Sequence, residues 1–274
     1  MLRVGRISYA NCTPLFHALD ELPHDEGYQL VPGVPSYLNQ LLEKGEIDIC
    51  PSSSIAYALH SDRYLIFPDI SISSRCRVKS VLLFSSVPVE KLGGKEILLS
   101  SESATSVNLL KILLSKCYSL ECRFRVARGD AVQSNADSPA ILLIGDSALR
   151  ELYKSEGMLV YDMGELWRRW TGLPFVFALW HLNEKSFKKN PDEVRLFAKH
   201  LQIAKKHAAE NLERIAEKSE EVAWMGHDRL LEYWRDNISY ELGARECEGL
   251  KLFYTLAAEM GLIKVAPELK FLES

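Results

Sequence analysis

The sequence predicts an α/β protein whose two lobes are joined by two crossing strands that form a hinge. Short apolar or β-branched runs alternate with helical patterns in the first half, as in strand-helix-strand units with a largely parallel sheet. A proline and paired glycines in "SSVPVEKLGG" interrupt this alternation, and the aromatic strand "LPFVFALWHL" then returns the chain. We therefore expect one lobe at residues 1–84 plus 178–274 and the other at 85–177.

The first lobe begins with an apolar strand at Val4–Ser8 and a helix that starts at Thr13 and Pro14. A hydroxyl residue followed by proline favours a helix start, because the first N–H of a helix has no partner within it. The stretch "YQLVPGV" predicts a second strand, and Ile47–Cys50 predicts a third. Between them, "PSYLNQLLEKG" predicts a helix that ends at Gly45 and carries leucines on one face.

The stretch "PSSSIAYAL" predicts another helix, and Val78–Phe84 predicts the strand that precedes the lobe boundary. In the second lobe we expect strands in "KEILLS", "LECRFRVA" and "AILLI". After the return strand the chain is helical, and we expect these helices to pack on the first lobe. Their apolar residues are spaced by three and four in two runs: Val194, Phe197, Leu201, Ala204, Ala208, Leu212 and Ile215, then Leu250, Phe253, Leu256, Ala257 and Met260.

Composition excludes several classes of protein. At 274 residues and 47% hydrophobic, the chain can bury a large core. Its 33 basic and 37 acidic residues are interleaved, so no basic stripe is available for nucleic acid. No apolar run approaches the ~18 residues of a membrane span, and the start lacks a secretory pattern. We expect a cytoplasmic protein without a membrane partner; the sequence does not indicate its oligomeric state.

No metal or cofactor is expected either. The six cysteines include no C-x-x-C pair, and the chain lacks the phosphate-loop, dinucleotide and H-E-x-x-H motifs. A histidine base is also not evident, although His17 and His60 stay open as candidates.

Polar residues follow four of the predicted strands, directly before a helix. These junctions lie in "RISYANCTPLF", in "ICPSSSIAY", at Ser101–Ser106 and at Gly145–Ser147. Ligands of open α/β sheets bind beyond the carboxyl ends of strands, and helix N-termini attract anions. One hydroxyl alone is an ordinary helix cap, but four junctions together predict a small anion held between the lobes. Four aromatic residues would form either a wall of that site or part of the core: Trp167, Trp170, Phe175 and Phe177.

Several stretches resemble the chorismate dehydratases of the futalosine route to menaquinone. The similarity covers "RISYANCTPLF", "LLEKGEIDICPSSSIAY", "VKSVLLFSSVP", "SATS", "LLIGDSAL" and "YDMGELWRRWTGLPFVFALW", in the family's order. It implies a two-lobed fold like that of type 2 periplasmic binding proteins. It also implies that chorismate is the substrate and loses water to give 3-[(1-carboxyvinyl)oxy]benzoate. In such a reaction the substrate's own side-chain carboxylate removes the ring proton, and the protein supplies orientation and hydrogen bonds.

The same resemblance implies roles for individual residues. Asn11 matches the motif asparagine and Ser80 a serine at the lobe crossing, and we expect both to be catalytic. Asp146 matches an aspartate that follows glycine, although a helix cap is its ordinary role. The residues expected to bind substrate are Tyr9, Ser53, Ser54, Ser103, Thr105, Ser106, Gly145 and Asp146.

Two further questions stay open at this point. The family often has a glycine ahead of Ser80, whereas this chain reads "SSRCRVKS", so Arg75 or Arg77 either supplies a cation to the site or is a solvated surface residue. The fold also hosts binders without activity. The alternatives are therefore a non-catalytic cytoplasmic binding protein for a small carboxylate and an enzyme acting on a related cyclohexadiene.

Overall fold

The computed structural model describes residues 1–22, 27–127, 138–154 and 157–273. Its strands form two separate five-stranded sheets, which confirms the predicted two-lobed α/β fold. The strands are β1 (Leu2–Ile7), β2 (Tyr28–Gly33), β3 (Ile49–Ser53), β4 (Tyr64–Ser74), β5 (Val81–Ser85), β6 (Glu96–Leu99), β7 (Arg123–Val126), β8 (Ala140–Ile144), β9 (Leu159–Asp162) and β10 (Phe175–Asn183).

Both sheets are mixed, not largely parallel. The first has the order β2-β1-β3-β10-β4, and the second β7-β6-β8-β5-β9. Parallel pairing holds for β1 with β2 and β3, and for β6 with β7 and β8. Strand β10 is antiparallel to β3 and β4, and β5 is antiparallel to β8 and β9. These antiparallel strands, one in the first sheet and one in the second, follow the two crossings between sheets.

The helices of the described residues cover the sheets. They are α1 (Thr13–Asp20), α2 (Pro35–Lys44), α3 (Ser54–Leu59), α4 (Ala104–Ile112), α5 (Gly145–Leu152), α6 (Met163–Thr171), α7 (Glu184–Lys189), α8 (Pro191–Glu210), α9 (Leu212–Lys218), α10 (Val222–Met225), α11 (His227–Glu232) and α12 (Ala244–Glu259). Two π-helical turns, Leu113–Cys117 and Tyr233–Asn237, continue α4 and α11. In the described ranges, no helix has the length and apolar character needed to cross a membrane.

Most predicted helices are observed, with small differences at their ends. Gly45 ends α2 with a φ of 73°, a left-handed conformation that glycine adopts without a steric penalty. The start of α1 differs from the prediction, because Cys12, not Thr13, is the N-cap residue. The Thr13 hydroxyl instead donates a 2.5 Å hydrogen bond to Glu221 of the C-terminal region.

Strand β4 is the main element that the sequence prediction missed. Its register against β10 shifts near Asp69, which has a φ of 60°, so its apolar periodicity is broken. It also carries buried serines. Ser71 and Ser73 donate hydrogen bonds to backbone carbonyls of Glu241 and Ser239, which removes the penalty for burying their hydroxyl groups.

The predicted lobe boundary after Phe84 does not coincide with the change of sheet. Strand β5 lies in the second sheet, so the chain crosses between Ser74 and Val81. Strand β10 lies in the first sheet over its whole length, so the return precedes Phe175. The exact division into lobes stays a prediction. If sheet membership defines it, residues 81–85 belong to the second lobe and 175–177 to the first.

The C-terminal helices contribute to the core as expected. The stripe on α8 is fully buried, and Leu250, Phe253 and Ala257 of α12 are buried as well. Phe253 lies 5.0 Å from Phe175, which in turn lies 5.2 Å from Trp167, measured between ring centroids. Trp167 and Phe175 are therefore core residues and not a wall of a ligand site.

Candidate active site

A cavity lies between the two lobes, and all four predicted polar junctions reach it. One side of the cavity comes from the end of β1, the loop after it and the end of β3. The other side comes from the crossing before β5 and from the starts of α4 and α5. Seven of the predicted site residues line it: Tyr9, Asn11, Ser53, Ser80, Ser103, Ser106 and Gly145.

The side chain of Asn11 has unmet hydrogen-bonding capacity at this cavity. Its Oδ1 atom is buried and has no partner among the described residues. Its backbone is held firmly, because the carbonyl oxygen accepts a 2.8 Å hydrogen bond from the Tyr240 hydroxyl. A buried amide normally finds a partner within the protein. The arrangement therefore leaves the Oδ1 acceptor of the Asn11 side chain available to a ligand.

Tyr9 lies against the start of α5. Gly145 has a φ of 63°, and a Cβ atom added to it would lie 3.1 Å from Cε2 of Tyr9, so a side chain at this position would be strained and crowded. Burial, and after it the charge of Glu102, raise the pKa of Tyr9. Its hydroxyl therefore stays protonated at neutral pH and can donate a hydrogen bond.

Ser80 is fixed by the chain crossing that precedes β5. The Asp162 carboxylate accepts hydrogen bonds from the backbone N–H groups of Val78 and Lys79, at 3.0 and 2.7 Å. The carbonyl of Ser80 accepts a 2.7 Å hydrogen bond from the N–H of Gly145. The Ser80 hydroxyl donates a 3.3 Å hydrogen bond to the carbonyl of Val78 and neighbours the side chain of Tyr233. Its backbone is thus anchored at the lining of the cavity.

Three predicted binding residues do not line the cavity; their side chains bond to protein groups instead. Ser54 donates to the carbonyl of Val176 at 2.9 Å. The fully buried Thr105 hydroxyl lies 2.6 Å from that of Ser53 and accepts from the N–H of Ile55. Asp146 accepts a 3.0 Å hydrogen bond from the N–H of Ala10. The contacts of Thr105 and Asp146 join the two lobes.

Asp146 is not the cap of its own helix, because Ile144 occupies that position and Asp146 lies in the first turn. Burial raises the pKa of its carboxyl group to about 6, and the Ala10 N–H opposes this shift. The burial of this carboxylate is thus only partly compensated by its hydrogen bond.

The helix starts offer fewer free donors to an anion than the sequence suggested. At α4, the Ser53 hydroxyl accepts from the N–H of Thr105, and the Ser103 hydroxyl accepts from that of Ser106. At α5, the N–H of Gly145 is bonded to Ser80. Any anion in the cavity therefore depends mainly on side-chain donors.

None of the described lining residues is a lysine or an arginine. Arg77 pairs with Glu165 at 2.9 Å and is largely exposed, and Arg75 lies in a separate surface groove. The two candidate bases also lie elsewhere: His17 is 3.8 Å from Glu21, and the ring of His60 packs edge-on to Tyr64. In the part of the chain that the structure describes, no group of three histidine, cysteine or acidic side chains could hold a metal.

The sequence prediction missed Glu102, Cys12 and Ile238, which also line the cavity. Glu102 lies within the predicted junction "SESATS". It was missed because only the hydroxyl residues of this junction were considered as ligand-binding residues. Cys12 is buried, and this burial raises the pKa of its thiol and disfavours the thiolate form. Of the four aromatic candidates, Phe177 is the one that lines the cavity.

Side chains from both lobes meet beside this cavity. The Arg150 guanidinium of α5 lies 3.9 Å from the centre of the Trp224 ring, and the Arg229 guanidinium lies 4.2 Å from that of Tyr153. Lys79, in the crossing segment before β5, forms a 2.6 Å ion pair with Glu232. The two cation–π contacts, together with the Asp146 bond to Ala10, hold the lobes in a closed arrangement.

We expect the free protein in solution to open, and a saturating ligand to return it to this closed arrangement. Small-angle scattering should then give a smaller radius of gyration with chorismate, the substrate that the sequence resemblance implies, than without it. Albumin with the same ligand controls for scattering by the ligand itself. An unchanged radius at saturation would mean that the site is rigid.

Comparisons with known proteins agree with this picture of the molecule. A family model described as menaquinone biosynthesis matches residues 2–259. A chorismate dehydratase from Thermus thermophilus is 34% identical over 267 residues, covering 91% of this chain and 93% of that relative. A chorismate dehydratase from Campylobacter jejuni is 32% identical over 178 residues, covering 64% of each chain.

Two solved structures share the fold at low sequence identity. A protein from Archaeoglobus fulgidus superposes with a TM-score of 0.77 and 19% identity, covering 96% of this chain and 98% of the other. The alkanesulfonate-binding protein SsuA from Xanthomonas axonopodis, bound to MOPS, has a TM-score of 0.71 and 15% identity, covering 98% and 95%. At this level of identity the likeness concerns the fold alone.

Proposed function

Since the chain belongs to the menaquinone biosynthesis family, we propose that it is a chorismate dehydratase that acts in the cytoplasm as a carbon–oxygen lyase. The structural observation that supports this most directly is the pair Asn11 and Ser80. Both match family motifs and both line one cavity, where the buried Oδ1 atom of Asn11 has no partner among the described residues.

The reaction removes a proton and a hydroxide from adjacent ring carbons of chorismate. The proton leaves the carbon that bears the enolpyruvyl ether. The ring carboxylate is conjugated with this carbon through a double bond, so the electron pair is delocalised as a dienolate. Departure of the hydroxide from the next carbon then makes the ring aromatic. The released hydroxide and the proton together account for the water lost.

We propose that the substrate's side-chain carboxylate takes the ring proton and that the protein holds the substrate in the reactive shape. Neutral donors suit this role, because the Asn11 amide, the Tyr9 hydroxyl and the serine hydroxyl groups retain their protonation state throughout. Donors aimed at developing charge stabilise the transition state more than the ground state. Closure of the lobes would exclude water from the dienolate.

Glu102 is the one carboxylate among the described lining residues, and it is therefore the protein group to test as a base. If the substrate supplies the base, Glu102→Gln should keep kcat near the wild-type value, because the amide fills the same space. If Glu102 removes the proton, kcat should fall by about 10²- to 10⁴-fold. Glu90→Gln, in the second lobe and outside the cavity lining, is the matched control, and steady-state kinetics decides between the outcomes.

Incubation of the purified protein with chorismate tests the proposed function directly. We expect the aromatic enol ether 3-[(1-carboxyvinyl)oxy]benzoate to appear by chromatography at a rate proportional to protein concentration. Chorismate that binds without being consumed would instead support the alternative of a binding protein for small carboxylates. Turnover of another cyclohexadiene in preference to chorismate would point to a related substrate.

A further inference from the structure

We propose that residues 233–240 form the positioning element of the active site, and that Trp234 and Tyr240 hold Asn11 in its reactive orientation. This inference rests on the proposed function. Neither residue is a candidate to touch substrate through its polar group, because each donates its hydrogen bond to the backbone of the Asn11 loop. We refer to residues 233–240 as the support segment.

The two peptide groups that flank the Cα atom of Asn11 are both bonded to the support segment. The indole N–H of Trp234 donates a 2.7 Å hydrogen bond to the carbonyl of Ala10. The hydroxyl of Tyr240 donates a 2.8 Å hydrogen bond to the carbonyl of Asn11. Because one peptide plane on each side is fixed, both backbone dihedrals of Asn11 are restricted.

The support segment is itself anchored to the first sheet. Ser239 exchanges two backbone hydrogen bonds with Ser73 of β4, each 2.8 Å long. Trp234 is buried, and it belongs to the π-helical turn that continues α11. π-Helical turns are rare in proteins overall, and those that do occur lie frequently at functional sites. A rigid sheet therefore determines where these two donors lie.

The same segment reaches the crossing that carries Ser80. The Asn237 side-chain amide donates a 3.2 Å hydrogen bond to the carbonyl of Arg77. Burial raises the pKa of Tyr233 far above its usual value, and the neighbouring Ser80 hydroxyl opposes this effect. One short stretch of chain thus contacts the surroundings of both proposed catalytic residues, which are far apart in sequence.

The variants Trp234→Phe and Tyr240→Phe remove each donor and keep an aromatic ring. A misplacement of about 1 Å at a reacting group can lower the rate by about a hundredfold. We therefore expect each variant to lower kcat by about tenfold to a hundredfold, with a much smaller change in KM. The affinity for the aromatic product, measured by calorimetry, should change little.

Matched controls are available in Trp167→Phe and Tyr57→Phe. These also remove a donor to a backbone carbonyl, since Trp167 bonds to Pro174 at 3.2 Å and Tyr57 to Glu268 at 2.8 Å. Neither residue lines the cavity. We expect all four variants to lower the melting temperature to a similar extent, while only the first two lower kcat. Equal activity in all four variants would overturn the inference.

A double-mutant cycle separates positioning from general stability. In an Asn11→Ala background the support segment has no amide to place, so Tyr240→Phe should lower kcat no further. Additive losses would overturn the inference. If the wild-type protein binds chorismate without turnover, the proposed function fails. The role of the support segment is then tested by measuring chorismate affinity, in place of kcat, for the same single and double variants. If it neither turns over nor binds chorismate, both proposals fail.

Discussion

The variant Asn11→Asp is expected to lower kcat for chorismate by about a hundredfold to a thousandfold while the protein stays folded. Aspartate has nearly the shape of asparagine, but it lacks the amide donor and carries a negative charge. The cavity already contains the Glu102 carboxylate and no lysine or arginine among its described lining residues, so this charge would be uncompensated. It would also repel a substrate with two carboxylates.

Asn108→Asp is the matched control for this variant. Asn108 lies on α4, and its side-chain amide donates to the carbonyl of Ala104 one turn earlier, outside the cavity lining. The same chemical change there should leave kcat close to that of the wild-type protein. Near-normal turnover by Asn11→Asp would remove the proposed role of the amide. So would a loss of activity that follows only from a collapse of its melting temperature.

The sequence was most informative where local chemistry decides the structure. Gly45 ends α2 because a left-handed residue is required there, and the apolar stripe of α8 is buried because its spacing matches one helical face. Strand β4 escaped prediction because its serines are bonded to carbonyls about 170 residues away in the chain, among them that of Glu241. Hydrogen-bond partners that are so distant in the chain cannot be recognised from the sequence around the strand.

The position of the cavity was predictable from local sequence, but which hydroxyl groups face it was not. Polar residues at strand ends indicated which loops would meet, and seven of the predicted residues line the cavity. Whether a hydroxyl faces a ligand or the opposite lobe depends on how the lobes approach each other. Thr105 and Ser103 stand two residues apart in one junction, yet Thr105 bonds Ser53 across the lobes and Ser103 lines the cavity.

His181 makes the free energy of unfolding sensitive to acid. It lies on β10, is fully buried, and stacks on Tyr64 with ring centroids 5.4 Å apart. Neither ring nitrogen has a hydrogen-bond partner among the described residues. Burial, with a smaller effect of His60, lowers the pKa of His181 to about 3. The folded protein therefore keeps this ring neutral under conditions in which the unfolded chain protonates it.

The sign of the effect follows from proton uptake. Between its unfolded pKa of about 6.5 and its folded pKa of about 3, His181 binds a proton in the unfolded chain only, so stability falls as the pH falls through this window. Asp146 acts in the opposite direction. Its folded pKa of about 6 lies above the unfolded value of 3.8, so it adds stability as the pH falls from 6 towards 3.8. The two effects partly cancel in the wild-type protein.

Comparison with His181→Leu isolates the histidine, because Asp146 is present in both proteins and its contribution cancels. We expect the stability of the wild-type protein relative to His181→Leu to decrease by about 3 kcal/mol between pH 7 and pH 4. Urea unfolding at several pH values measures this difference. His227→Leu, which removes an exposed histidine at the start of α11, should show a much smaller change. A gap between wild type and His181→Leu that stays constant with pH would mean that the buried ring takes up its proton without unfolding.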